Sequence, residues 1–92
     1  MATVILTFSI MPTGPEVDMN RLESQVKEKV TSFTGETEMK AEVQPVAFGL
    51  KRLVLTFVMD ESKGGTDELE KDIAALDEVN SCECTDVRRA IG

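Results

Sequence analysis

Gln44-Pro45-Val46-Ala47-Phe48-Gly49-Leu50-Lys51-Arg52-Leu53 is the turn between the two halves of an apolar hairpin, and the rest of the chain is organised around it. A large ring followed by glycine is unusual where a chain reverses. Gly49 tolerates positive φ and can carry the bend, so Phe48 need not fold into the core. Lys51 and Arg52 follow at once in a chain of net charge −7. An apolar tip beside two cations reads as a docking point. The other reading tucks Phe48 under its own hairpin as a minor core residue, since single exposed apolar residues are common.

On either side of this turn the pattern has period two. Before it, Glu38 to Gln44 places Met39, Ala41 and Val43 inward and Glu38, Lys40, Glu42 and Gln44 outward, with Pro45 near the end, as suits an edge strand. After it, Leu53, Leu55, Phe57 and Met59 alternate with Arg52, Val54, Thr56 and Val58. That strand is apolar on both faces, as a central one is. Thr3 to Met11 repeats the pattern, with Val4, Leu6, Phe8 and Ile10 on one face, and Met11-Pro12-Thr13-Gly14-Pro15 ends it. Asp18 stands where a helix N-cap is expected. Met19, Leu22, Val26, Val30 and Phe33 then step by three or four along one stripe, Glu23 and Lys27 form an outer i,i+4 pair, and Thr34-Gly35 closes the helix.

Asp60 to Gly65 reads as a polar loop. Its Lys63-Gly64-Gly65-Thr66 lacks the order and spacing of a phosphate loop. Thr66 is expected to cap a second helix with Asp67, Glu68 and Glu70 in its first turn and Leu69, Ile73 and Leu76 on its inner stripe. Asp77 and Glu78 oppose the dipole of such a helix. Val79 to Val87 is the last strand, with Cys82 and Cys84 inward and Glu83 and Thr85 outward.

The order βαββαβ predicts an α+β fold, the ferredoxin-like split βαβ plait. It has a four-stranded antiparallel sheet of order 4-1-3-2 with two helices on one face, in one domain spanning residues 1–92. At 41% hydrophobic the chain is globular, and its acidity argues against a general nucleic-acid or membrane-surface binder. The apolar start is too short to span a bilayer. Cys82 and Cys84, two residues apart on one strand face, cannot form an unstrained disulfide with each other. With no His beside them no zinc ligand set is spaced for binding. No metal or cofactor is expected, and free thiols fit a reducing cytoplasm.

This fold hosts many activities, so function must come from a site. The loop after the first strand has no Arg to cradle phosphate. Ile5, Thr7, Ser9, Val54 and Thr56 on the open sheet face include no ring to stack on RNA. No nucleophile stands beside a base, so chemical catalysis is not expected and interaction remains.

Pro45-Val46-Ala47-Phe48-Gly49-Leu50-Lys51-Arg52-Leu53, with Thr85-Asp86-Val87-Arg88-Arg89 about thirty residues later, resembles archaeal elongation factor 1-beta. That family is the nucleotide-exchange factor for the GTPase elongation factor 1-alpha. The likeness runs on through Met11-Pro12, Val17-Asp18 and Gly64-Gly65-Thr66. It implies a monomer that binds elongation factor 1-alpha in its GDP-bound and nucleotide-free states. Phe48, Gly49, Lys51 and Arg52 would meet one domain of that partner, and Asp86, Arg88 and Arg89 would approach the nucleotide site. The eukaryotic factors place a Lys near the end that enters the Mg²⁺ site. The matching position here is about Gly92, which leaves that role to Arg88 or Arg89, or to displacement of backbone. A homodimeric ligand-sensing domain of the same topology is the alternative.

Overall fold

The computed structural model describes residues 3–35, 38–60 and 66–90. Strand β1 (Thr3–Pro12) leads to helix α1 (Met19–Thr34), then β2 (Met39–Pro45), β3 (Lys51–Asp60), helix α2 (Asp67–Ala74) and β4 (Val79–Ala90). The sheet order is β2-β3-β1-β4, with every neighbouring pair antiparallel. This is the expected ferredoxin-like plait, with the two doubly apolar strands in the middle and β2 at an edge. The Lys63-Gly64-Gly65 segment and the chain's last two residues lie outside the described residues.

The inward side chains follow the predicted alternation. Leu6, Phe8 and Ile10 of β1 and Leu53, Leu55, Phe57 and Met59 of β3 are buried with Leu22, Val26 and Val30 of α1 and Leu69 and Ile73 of α2 in one core. Phe8 and Phe57 meet edge to face, 5.1 Å between centroids at 85°. Val43 departs from expectation. Its register opposite Leu53 points it to the helical side, yet it is 39% exposed there, at the mouth of a groove it shares with Val17 and Met19.

Asp18 caps α1 as expected, accepting from the Asn20 and Arg21 amides at 3.0 and 3.4 Å. Gly35, at φ 82°, closes the other end and donates to the Thr31 carbonyl at 2.8 Å. Lys27 and Glu23 pair at 3.2 Å. Thr66 occupies the cap position of α2 without a side-chain cap bond. Its backbone (φ −99°, ψ 9°) is not extended, so the hydroxyl is not aimed at the free amides. The first turn of α2 relies instead on its carboxylates.

Helix α2 is shorter than the apolar stripe suggested, and Leu76 packs on the core from the turn beyond it. The carboxylates that opposed its dipole also lie past its end. Glu78 reaches α1, where Arg21 donates from Nε at 2.9 Å and approaches through Nη2 at 2.6 Å. That hydrogen bond and charge raise the Arg21 guanidinium further above its ordinary value. The Glu78 carbonyl also accepts from the Thr13 amide at 3.0 Å, so the turn before β4 is tied to the exit of β1.

Strand β4 runs past Val87 through Arg88 and Arg89, which pair opposite Ile5 and Val4. The register shifts between Thr7 and Phe8, leaving Thr85 as an extra residue whose hydroxyl donates to the Thr7 carbonyl at 3.3 Å. Just before this bulge the outward-facing Cys84 amide donates to Glu70 of α2 at 3.0 Å. Cys82 and Cys84 are free and pack against the core. Burial, with smaller contributions from the Glu70 and Cys84 charges, pushes the Cys82 thiol from 9.0 up to about 12.

Asp18→Ala should lower the unfolding free energy by about 1 kcal/mol, whereas Thr66→Ala should change it by less than about 0.5 kcal/mol. Urea titrations of the two variants distinguish them. Because the folded state raises the Cys82 pKa, its contribution to stability is complete below pH 9 and is lost as pH climbs toward about 12. Alkaline unfolding should therefore be less steep for Cys82→Ala than for the unaltered chain.

Candidate functional site

The β2–β3 connection is built on a single 3-10 turn, Ala47–Gly49. Val46 donates to the Leu50 carbonyl at 2.8 Å and Leu50 to that of Ala47 at 3.2 Å, closing the hairpin. Phe48 lies at φ 62°, ψ 32° and Gly49 at φ 76°. Two successive residues of positive φ are what a type I′ turn requires, and Asn-Gly is its usual sequence. Gly49 takes this conformation without cost. Phe48 does not, since the left-handed region costs a residue with a Cβ about 1–2 kcal/mol. Among the described residues Phe48 alone, apart from glycines, has positive φ.

That backbone holds the ring off the molecule. Phe48 is 95% exposed, so it is not tucked under its own hairpin as a minor core residue. Leaving the ring in water forgoes about 1.5–3 kcal/mol of burial. Of the exposed large apolar residues, Val43, Val46 and Phe48 cluster at this end, and Val87 lies on β4.

The flanking cations separate. Arg52 faces the open side of the sheet and donates to Gln44 Oε1 from Nε at 3.1 Å and Nη2 at 2.8 Å. Lys51, opposite Pro45, lies on the helical side and borders a groove with Pro12, Val17, Asp18, Met19 and Val43. The pair is adjacent in sequence and divided by the pleat.

The same geometry splits Arg88 from Arg89. Arg88 stands with Ile5 on the open face, where its Nε meets Asp86 Oδ2 at 2.8 Å. Arg89 stands with Val4 on the helical face. Beyond the bulge that face is uncovered, and Val87 is 59% exposed. Asp86, Arg88 and Arg89 therefore lie within the strand, not after it. The β1 register puts Arg88 opposite Ile5 and Leu53 opposite Ile10, so the hairpin turn and the basic end of β4 occupy opposite ends of a molecule 42 × 20 × 18 Å. Among the described residues no three His, Cys, Asp or Glu side chains converge on a metal position. No helix among them is long and apolar enough to cross a membrane.

The positive φ of Phe48 and the groove beside Lys51 escaped the sequence reading. Phe-Gly in place of Asn-Gly was the available signal for the first. The groove depends on how α1 sits against β2, which no local pattern records.

Since the ring touches little, replacing it tests the backbone alone. Phe48→Gly should be more stable than Phe48→Ala by about 1 kcal/mol, because only glycine relieves the left-handed strain. Paired urea denaturation curves measure the difference.

The chain matches the family described as the EF-1 guanine nucleotide exchange domain over residues 5–90. It is similar to the elongation factor 1-beta of Methanosphaera stadtmanae, 39% identical over 89 residues that cover 97% of this chain and 98% of that one. The elongation factor 1-beta of Methanocaldococcus jannaschii is 37% identical over 90 residues, covering 98% and 100%. A solved de novo designed protein, Foldit4, shares the fold alone, with a TM-score of 0.63 over 98% of each chain at 19% identity. With the plait, the hairpin and the β4 residues all in place, this chain belongs to the elongation factor 1-beta family, nucleotide-exchange factors of translation elongation.

Proposed function

We propose that residues 1–92 act as one exchange domain whose partner is elongation factor 1-alpha, bound in its GDP form and more tightly when nucleotide-free. The chain works in the cytoplasm as a monomer, by binding rather than by chemistry of its own. Phe48 carries this reading. An aromatic ring that is 95% exposed and held by a strained backbone costs the isolated fold stability. Its return comes when an apolar pocket on the partner takes it up, which makes about 1.5–3 kcal/mol of binding energy available.

The second contact is the basic end of β4, on the order of 20 Å or more away at about 3.3 Å per strand residue. Such a rod suits two domains of one GTPase. Arg88 and Arg89 bring positive charge toward the phosphate and Mg²⁺ region, where cations compete with the metal for the same oxygens. Asp86 orients Arg88 through their 2.8 Å ion pair. Lys51 and Arg52 border the anchored end.

Exchange then follows from linkage. A factor that binds the empty GTPase more tightly than the GDP form must lower GDP affinity by the same factor. GTP in excess refills the site, and the factor dissociates. A small amount of the chain can therefore serve many GTPase molecules.

The test is release of fluorescent GDP from purified elongation factor 1-alpha. The unaltered chain should accelerate it at substoichiometric concentration. Phe48→Ala and the Arg88→Ala/Arg89→Ala double variant should each lose about tenfold or more. Release at the spontaneous rate with the unaltered chain present would refute the reading. Full activity in both variants would refute the residue assignments alone.

A further inference from the structure

Strand β4 lies at the edge of the sheet, and the two halves of that edge differ. In the first half the Cys84 amide points away from β1 and donates to Glu70 of α2 at 3.0 Å, so the edge is occupied. Thr85 is the extra residue of the bulge, and its hydroxyl donates to the Thr7 carbonyl at 3.3 Å, which therefore faces β4. Backbone groups alternate sides along a strand, so those of Leu6 face β3. Val87, opposite Leu6, consequently turns its own amide and carbonyl to the free edge. Its side chain, on the helical face, is 59% exposed.

The residues on either side of Val87 carry opposite charges on one face. Asp86 stands opposite Thr7 and Arg88 opposite Ile5, both on the open side of the sheet. They pair with each other at 2.8 Å, yet both side chains stay exposed and have room for a second partner. Read about Val87, this order of charge is its own complement when the strand is reversed. Antiparallel pairing of two β4 strands with Val87 opposite Val87 sets each Asp86 across from Arg88 of the other copy. Centring the pairing on Asp86 or on Arg88 would oppose like charges. The backbone groups that point outward and the charges thus select the same register.

We infer that the open half of β4 pairs with the same strand of a second copy, antiparallel and centred on Val87, joining two sheets into one. The Val87 backbones exchange hydrogen bonds, the Asp86–Arg88 pairs set the register, and the two Val87 side chains cover each other. The contact is short, because Glu70 already holds the edge at Cys84, and each copy carries a net charge of −7. The association is accordingly weak, with a dissociation constant on the order of 100 µM. Below that range the chain is the monomer of the exchange reading, on which this inference does not depend.

Sedimentation equilibrium of the unaltered chain from about 10 µM to about 1 mM should show a monomer–dimer equilibrium. Over the same range, amide exchange followed by NMR should slow at Val87 and stay unchanged at Cys84. Arg88→Asp opposes carboxylates and should raise the dissociation constant about tenfold or more. The Asp86→Arg/Arg88→Asp exchange restores opposite charges in the same register and should return it to within about threefold. Thermal midpoints confirm that both variants fold. A monomer at every concentration, or a dimer that Arg88→Asp leaves intact, overturns the inference. Protection of the Val87 amide that arises only on adding elongation factor 1-alpha would assign the edge to the GTPase and overturn it as well.

Discussion

The edge-to-face contact of Phe8 with Phe57 fixes the register between β1 and β3, and nearly everything else follows from that register. Both rings are fully buried, and each lies diagonal to the other across two central strands. Slipping either strand by one residue would turn Leu6, Phe8 and Ile10, or Leu53, Leu55 and Phe57, onto the open face of the sheet. A burial worth about 1.5–3 kcal/mol per side chain would be lost for each of them. With the register set, the β2–β3 turn must lie at the end of β1 where Ile10 stands, and the last residues of β4 must lie at its start. The two ends of the rod are a consequence of core packing.

Edge strand β4 adds a second constraint. Its bulge at Thr85 interrupts a ladder that would otherwise run straight, and the Thr85 hydroxyl replaces part of the lost pairing through the Thr7 carbonyl. Glu70 occupies the edge amide of Cys84, so the first half of β4 is covered by α2 while Val87 and the basic residues beyond are left open. A protected half and an available half thus share one strand. The arrangement keeps the exposed edge short, as sheet proteins commonly do, and sets Arg88 and Arg89 on opposite faces of that end.

Much of this was legible in local pattern. Alternation in β1 and β3 is unbroken, and the stripe from Met19 to Phe33 has one helical period. A residue whose side chain must be buried leaves that mark whatever its neighbours do. Asp18 was readable because a cap needs only its own helix. Thr66 differs for the complementary reason: its hydroxyl makes no cap bond because its own backbone, at φ −99° and ψ 9°, is not extended, which its residue type does not record. Val43 alternated correctly and is still 39% exposed, because how closely a helix lies over an edge strand is a long-range matter. Asp77 and Glu78 had no local sense until Arg21, on another element, accounted for Glu78.

The amino-acid sequence by itself determined the order of elements, the central and edge strands, the core faces and, through its two spaced motifs, the family. These depend on the period of burial and on residues close together in the chain. Tertiary structure alone decided that Phe48 stands in the left-handed region, that β4 runs on through Arg88 and Arg89 and so splits that pair across the pleat, and that a groove opens beside Lys51. Those outcomes depend on which surfaces meet, and a strand or helix carries in its own sequence no record of what fails to cover it.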